Sequence, residues 1–342
     1  MARVITPTTR VVIAGAGGFV GGHLVADLLR RGVRWVRAVD VKPLDQWYQR
    51  YPDADNRVAD LQRRDECERA VADAECVFNL ASDMGGIGFI ETHKTACMLS
   101  VLINTHLLMA ARDHGVRSFF FPSSACVYAA DKQADADVAP LKEEDAYPAM
   151  PEDGYGWEKL FSERMCRHFH EECGLHTTVA RLHNVYGPFG TYDGGREKAP
   201  AAICRKVITA KLTGRHEIEI WGDGEQTRSF MYIDDCLDGL YRLMESGVRQ
   251  SVNLGSSELV TINRLVDLVE EIAGIRVARR YNLAAPTGVR GRSSDNTLIR
   301  QLLSWEPGTT LRFGLEQTYR WIHDRMTRDV VSRGRFDTQA LL

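Results

Sequence analysis

The chain has 342 residues, 44% of them hydrophobic and 26% charged, with a formal net charge of −3 at pH 7. That is the composition of a soluble globular protein, long enough for one large or two intimate α/β domains with an ample core. The faintly acidic balance and the lack of a Lys/Arg run argue against nucleic acid as a partner.

No stretch approaches the roughly 18 apolar residues of a membrane span, and the first ten residues carry no apolar leader. The eight cysteines, at positions 67, 76, 97, 126, 166, 173, 204 and 236, show neither Cys-x-x-Cys nor His/Cys ligand spacing. Free thiols in a reducing cytoplasm, with no metal site, are the expectation.

In chain order, a buried strand over Arg10–Ala14 breaks into Gly15-Ala-Gly-Gly18-Phe-Val-Gly21 and an apolar helix through Leu28-Leu29. Glycines at 15, 18 and 21 permit a tight turn, close approach of backbone to a pyrophosphate, and close helix–strand packing. Phe19 and Val20 open the helix, whose free amides suit phosphate charge. A second apolar strand, Trp35 to Val39, ends in Asp40, 19 residues beyond Gly21. A carboxylate there accepts from a ribose 2′-OH and repels a 2′-phosphate, which favours NAD over NADP. Asp60-Leu61 follows the third strand, where the acid is equally a contact to adenine or a plain loop residue.

The fourth strand, from Cys76, runs through Ala81 into Ser82-Asp-Met-Gly-Gly-Ile-Gly-Phe89. Met84 and Gly85 thus sit in a flexible loop at the carboxyl edge of the sheet, where open α/β sheets bind ligands. A helical segment over Asn104–Arg112 leads to the fifth strand, Ser118–Phe121, which delivers Ser124-Ala125-Cys126 to the same edge. Ser124 reads as a partner of a substrate hydroxyl or as a strand-end cap. Cys126 is a catalytic candidate by position alone, since most lone cysteines are small buried hydrophobes.

Tyr155 and Lys159 are four apart, which puts them on one face of a helix. A phenol titrates near ~10; a neighbouring ammonium and an oxidised nicotinamide favour the phenolate and give a base for an alcohol. Thr177–Leu182 is the sixth strand and ends in His183-Asn184. A Gly-rich, charged stretch follows, with Glu197 and Lys198, then a helix from Ala201 carrying Lys206, the Trp221–Phe230 loop with Gln226 and Arg228, and Gly288–Arg292. Arginine forks suit phosphate oxygens. The last predicted helix covers Leu311 to about Met326. These elements predict a Rossmann-type doubly wound parallel sheet with a smaller mixed α/β substrate-binding domain. The expected division is 1–183 for the dinucleotide, with 226–257 returning to it, and 184–225 plus 258–342 for the substrate.

Together the motifs resemble the extended short-chain dehydrogenase/reductase superfamily of sugar-nucleotide enzymes: Gly15-x-x-Gly18-x-x-Gly21, Asp40, Ser124, Tyr155-x-x-x-Lys159, the Trp221–Phe230 loop and Leu315-x-x-Thr318-x-x-Trp321. Within it the chain is similar to the GDP-mannose 3,5-epimerase family, on the Asp83–Phe89 loop, Ser123-Ser-Ala-Cys126, the block from Asn184 to Lys206 with Gly-Gly-Arg-Glu-Lys-Ala-Pro, Gln226-Thr-Arg228 and Val289-Arg-Gly-Arg292. The resemblance implies NAD held by the Gly15–Gly21 turn, Asp40, Tyr155 and Lys159. It implies a GDP-sugar bound by Gly85, Asn184, Lys206, the Gln226–Arg228 loop and Arg292, and the homodimer usual in the superfamily. Gly154 departs from the family's alanine, which predicts a slightly looser helix start, and Ser82 replaces an alanine.

The expected chemistry is transient oxidation at C4, with Cys126 and Lys198 exchanging protons at C5 and C3 from opposite faces. A lysine stripped of water drops in pKa and a cysteine near a cation also drops, so the two are expected to be tuned together. Rival readings are a 4,6-dehydratase, which wants an acid pair where Ala125-Cys126 stand; a 4-epimerase, which needs no Cys/Lys pair; an NADPH-consuming epimerase-reductase; a GDP-heptose epimerase; and a non-catalytic dinucleotide sensor. Inversion at C5 alone or at both C3 and C5 is open.

Overall fold

A computed structural model of the protein describes residues 4–332. Its largest feature is a seven-stranded parallel sheet. Six strands follow in chain order: β1 (Arg10–Ala14), β2 (Trp35–Asp40), β3 (Asp55–Val58), β4 (Cys76–Asn79), β5 (Ser118–Ser124) and β6 (His176–Leu182). The seventh, Val252–Leu254, pairs with the outer side of β6. Across the sheet the order is Val252–Leu254, β6, β5, β4, β1, β2, β3, so the chain reverses direction between β1 and β4 and opens a crevice at their carboxyl ends.

Helices alternate with the strands: α1 (Phe19–Arg30), α2 (Arg64–Val71), α3 (Ile87–Thr92), α4 (Lys94–Asp113) and α5 (Tyr155–Cys173). Strand side chains alternate between two cores. Val11, Ile13, Phe78 and Phe120 face one, and Val12, Ala14, Val77, Phe119 and Phe121 face the other with Leu107, Leu108 and Cys166. A sheet buried on both sides explains why its strands are apolar throughout rather than alternating.

Beyond β6 the chain adds α6 (Ala199–Thr213), α7 (Ile233–Ser246), α8 (Ile262–Ala273), α9 (Thr297–Leu303) and α10 (Leu311–Ser332). Small sheets connect them: Glu217–Trp221 with Ala278–Asn282, Val185–Tyr186 with Met231–Tyr232, and Leu259–Thr261, Thr227–Ser229 and Gly291–Arg292 side by side. The first core continues without a break into α6, α8 and α10 through Ile203, Val207, Leu265, Leu315 and Ile322. By length and composition α4 is apolar enough to cross a membrane, against the expectation above. Its inner side packs in the second core, whereas Met98, Leu99 and Leu102 on its outer side are exposed.

A buried ion pair ties β6 to α5. Arg181 Nε and Nη2 donate to Glu163 at 2.9 and 2.8 Å, and Nη1 donates to the Glu143 carbonyl at 2.7 Å. Ser123 and Ser251 hydroxyls also donate to that carboxylate. Removing one partner of a buried pair strands the other charge. Arg181→Met is therefore expected to lower unfolding free energy by about 3–5 kcal/mol in urea titration, and a loss typical of an exposed pair, under about 1 kcal/mol, would contradict this.

Candidate active site

The first crevice wall is the turn after β1. Gly15 takes φ +84°, and the amides of Gly15 and Ala16 donate to the Val39 carbonyl at 2.8 and 3.1 Å. A Cβ on Gly15 would stand 2.6 Å from the Leu80 carbonyl, and one on Gly21 only 2.2 Å from the Gly15 carbonyl oxygen. Only glycine fits there. Gly18 caps α1 with no side chain over the free amides of Phe19 and Val20. Asp40 is buried at the end of β2, with its Oδ2 accepting from the Gly17 amide and its Oδ1 from the Lys42 amide, both at 3.0 Å. Open helix amides beside a fixed carboxylate fit a dinucleotide. Asp60 accepts the Gln62 amide at 3.0 Å in a local turn, Leu61 is buried below, and Ala81 packs on the same core.

Tyr155 is the first residue of α5. Gly154 before it has φ +79°, a conformation L-residues rarely adopt, so this glycine sets the angle of entry rather than merely loosening it. A Cβ on Gly156 would lie 2.4 Å from the Cys126 carbonyl, which shows how tightly α5 presses on the Cys126 turn. Lys159 Nζ is buried, 3.1 Å from Glu158 Oε2, 3.3 Å from Ser82 Oγ and 5.3 Å from the centre of the Tyr155 ring. Burial raises Tyr155 well above its ordinary value, the neighbouring Cys126 and Glu158 add to that, and Ser124 pulls the other way. The ammonium is directed at Glu158, one residue away, which the Tyr-x-x-x-Lys spacing does not reveal.

Ser124 ends β5, and its hydroxyl accepts the Cys126 amide at 3.2 Å, starting a short turn through Ala125. Cys126 clusters with Tyr155, Phe89 and Cys97, and Met84 packs against them. Arg292 approaches its sulfur to 3.5 Å, donates to Gln133 at 2.6 Å and pairs with Glu152. Burial raises the thiol to about 11, helped by Glu152 and opposed by Arg292. The neighbouring cation therefore does not lower this cysteine as expected, because desolvation outweighs it. Lys198, the residue before α6, moves in the anticipated direction: burial lowers its pKa, against Cys126 and Cys236. Burial thus acts on the two groups in opposite directions, raising the thiol and lowering the amine.

The remaining candidates have the following partners. Arg228 donates to the carbonyls of Thr227, Thr287 and Val289 at 2.7, 3.0 and 2.6 Å, and burial, with the Arg292 charge, lowers it to about 10. Its hydrogen bonds are to carbonyls, so its charge is free for an anion. Gln226 donates to the Trp221 carbonyl at 2.8 Å while its buried Oε1 has no partner. Asn184 donates to Ser229 at 3.0 Å and Lys206 to the Glu219 carbonyl at 2.7 Å. Glu197 accepts from the Gly195 amide at 2.7 Å and from Arg205 at 3.3 Å, and Gly85 lies against Phe89. Arg292, expected at the nucleotide-sugar, has its fork taken up by Glu152, Gln133 and Cys126. Glu152, Gln133, Asp83 and Arg196 escaped the sequence reading; Arg196 lies within the Gly-Gly-Arg-Glu-Lys-Ala-Pro block, the one signal that pointed to it.

Comparison with known proteins follows this geometry. Residues 11–255 match the NAD dependent epimerase/dehydratase family. The chain is 43% identical over 321 residues to GDP-mannose 3,5-epimerase 1 of Oryza sativa subsp. indica, covering 94% of this chain and 83% of that one. Among solved structures it is similar to a UDP-glucose 4-epimerase of Thermotoga maritima with UDP-glucose, at TM-score 0.83 and 26% identity, over 93% of this chain and all of that one. MoeE5 in complex with UDP-glucose and NAD aligns at TM-score 0.76 and 28% identity, over 93% of this chain and 99% of that one.

The raised Cys126 pKa sets an expectation for reactivity, because only the thiolate alkylates. In the ligand-free protein, iodoacetamide labelling of Cys126 followed by mass spectrometry should be slow at neutral pH and climb as pH approaches about 11. Exposed Cys173 serves as internal reference. Labelling of Cys126 as fast as Cys173 at neutral pH would contradict a desolvated thiol.

Proposed function

The chain belongs to the NAD dependent epimerase/dehydratase family, and from that premise we propose that it epimerises a GDP-hexose, GDP-mannose at C3 and C5, to GDP-L-galactose and GDP-L-gulose. The observation that carries this reading is the packing of Cys126 against Tyr155, with Lys198 close enough to feel the sulfur's charge, together with a guanidinium, Arg228, that among the described residues is hydrogen-bonded to no carboxylate.

NAD, which the Gly15–Gly21 turn and Asp40 would hold, would supply a reversible hydride acceptor for C4 and a ring charge that favours the Tyr155 phenolate. Tyr155 takes the O4 proton as C4 becomes a ketone, and gives it back on re-reduction. Once C4 is a ketone, the C–H bonds at C3 and C5 are α to a carbonyl and each carbanion is an enolate. Lys198, biased to the free base, removes the proton at such a carbon, and the Cys126 thiol returns one to the opposite face. The roles reverse as each group regains its starting state. Arg228 holds the diphosphate, with Gln226, Asn184 and Lys206 around it, and Arg292 keeps Glu152 charged and Cys126 oriented. Ser124 steadies the phenol. Residues 1–183 with 226–257 form the cofactor part and 184–225 with 258–342 the sugar part; residues 1–3 and 333–342 of that division lie outside the described residues.

A homodimer in the cytoplasm completes the reading. Leu99 and Leu102 on α4, and Trp157 and Phe161 on α5, are 37–53% exposed on two helices packed side by side, an apolar face that a second copy would cover. Eight free cysteines suit a reducing compartment.

Two measurements test this. Purified protein with GDP-mannose and no added cofactor should yield C5 and C3/C5 epimers by proton NMR, with deuterium entering C3 and C5 from heavy water and a C4 label retained. Loss of the C4 label to solvent, or no epimer at all, refutes the reading. Phe161→Glu should convert a dimer to a monomer in light scattering; an unchanged mass refutes the proposed interface.

A further inference from the structure

Two loops far apart in sequence are bolted together at one side chain. Arg196 Nη1 lies 2.6 Å from Asp83 Oδ1 and 3.3 Å from the Met84 carbonyl, and its guanidinium sits 3.8 Å above the Phe89 ring. The backbone joins in, since the Gly86 amide donates to the Arg196 carbonyl at 3.0 Å. A Cβ on Gly86 would be 2.3 Å from the Glu197 carbonyl oxygen, and one on Gly85 3.2 Å from Arg196 Cα, so the two loops touch along their backbones. Phe89 is stacked in turn on His93 at 4.3 Å and belongs to the cluster of Cys126 and Tyr155. Two residues beyond Arg196 comes Lys198, which stands at the start of α6 with no cap hydrogen bond from its side chain. The backbone that carries its amine is set from the N-terminal side by the Arg196 contacts, and from the other by α6.

We propose that Arg196, gripped by Asp83 and Phe89, is a positioning residue that holds the Lys198 amine in line with the sugar carbon whose proton it exchanges, on the opposite side from Cys126. The inference rests on the epimerase reading above and adds to it a residue that touches neither substrate nor cofactor. Proton exchange depends on the latch and oxidation at C4 does not, because Tyr155 and Lys159 are carried by α5; Lys159 reaches Ser82 and Tyr155 clusters with Phe89, but neither contact runs through the Arg196–Asp83 pair. A 1 Å displacement of a reacting group is enough to cost about 100-fold.

The test compares Arg196→Ala, Asp83→Ala and the double variant with wild type in three readouts. Deuterium entry at C3 and C5 of GDP-mannose should fall about 10- to 100-fold in each variant. C4 ketone, trapped with borodeuteride, should stay at the wild-type level. The double variant should match the single ones, since both remove one contact, and Arg196→Ala added to Lys198→Ala should change nothing further. The third readout needs no substrate: acetylation of Lys198 by acetic anhydride, followed by mass spectrometry, should speed up when the latch is cut. Unchanged exchange and unchanged acetylation overturn the proposal, as does a parallel fall in ketone trapping, which marks general damage to the site. If wild type exchanges nothing while acetylation still responds to Arg196→Ala, the substrate reading falls and the latch stands.

Discussion

The buried guanidinium of Arg292 is the contact on which the site's electrostatics turn. It comes from the short strand Gly291–Arg292 and meets Glu152 ahead of α5, Gln133, and the sulfur of Cys126. Burial alone would lower an arginine's pKa, yet the Glu152 charge holds Arg292 above its ordinary value; reciprocally, Arg292 holds Glu152 below its own, against the upward pull of burial. One ion pair thus joins the two parts of the chain at the point where the thiol has to be held. With Arg292 engaged, Arg228 is the guanidinium left facing carbonyls, and the division of labour between the two follows: one organises the protein, the other is available to an anion.

Burial, more than any pairwise charge, sets the protonation of the site. It pushes the thiol up and the amine down, because one group is neutral when protonated and the other neutral when deprotonated. Tyr155 is subject to the same pressure, and burial raises its phenol well above the ordinary value despite the opposing pull of Ser124.

What the sequence made legible was local. The glycine turn, the carboxylate at the end of β2 and the Tyr155/Lys159 face are all written within a few residues, and the sheet follows from apolar runs punctuated by glycine. Long-range contacts were not legible. That Lys159 reaches Ser82, that Arg292 is claimed by Glu152, and that Arg196 reaches Asp83 across 113 positions depend on packing between segments with no shared pattern. The same applies to the expectation about Cys126. Its neighbour in space is indeed a cation, but how much water the fold removes from the thiol is a tertiary quantity, and it decides the sign.

The glycines of the Ser82–Phe89 loop show how a local rule and a distant contact meet. Read alone, three glycines in four residues suggest mobility. In the fold, Gly85 and Gly86 are bare because Arg196 and Glu197 lie against them, and Gly88 because Trp221 does, at 3.0 Å from where a Cβ would be. Their lack of side chains is a condition of close approach, so the stretch is a socket rather than a hinge. Backbone touching backbone leaves little room for drift between the two loops, whereas Tyr155 and Ser124 are carried by a helix start and a strand end that the sheet itself fixes.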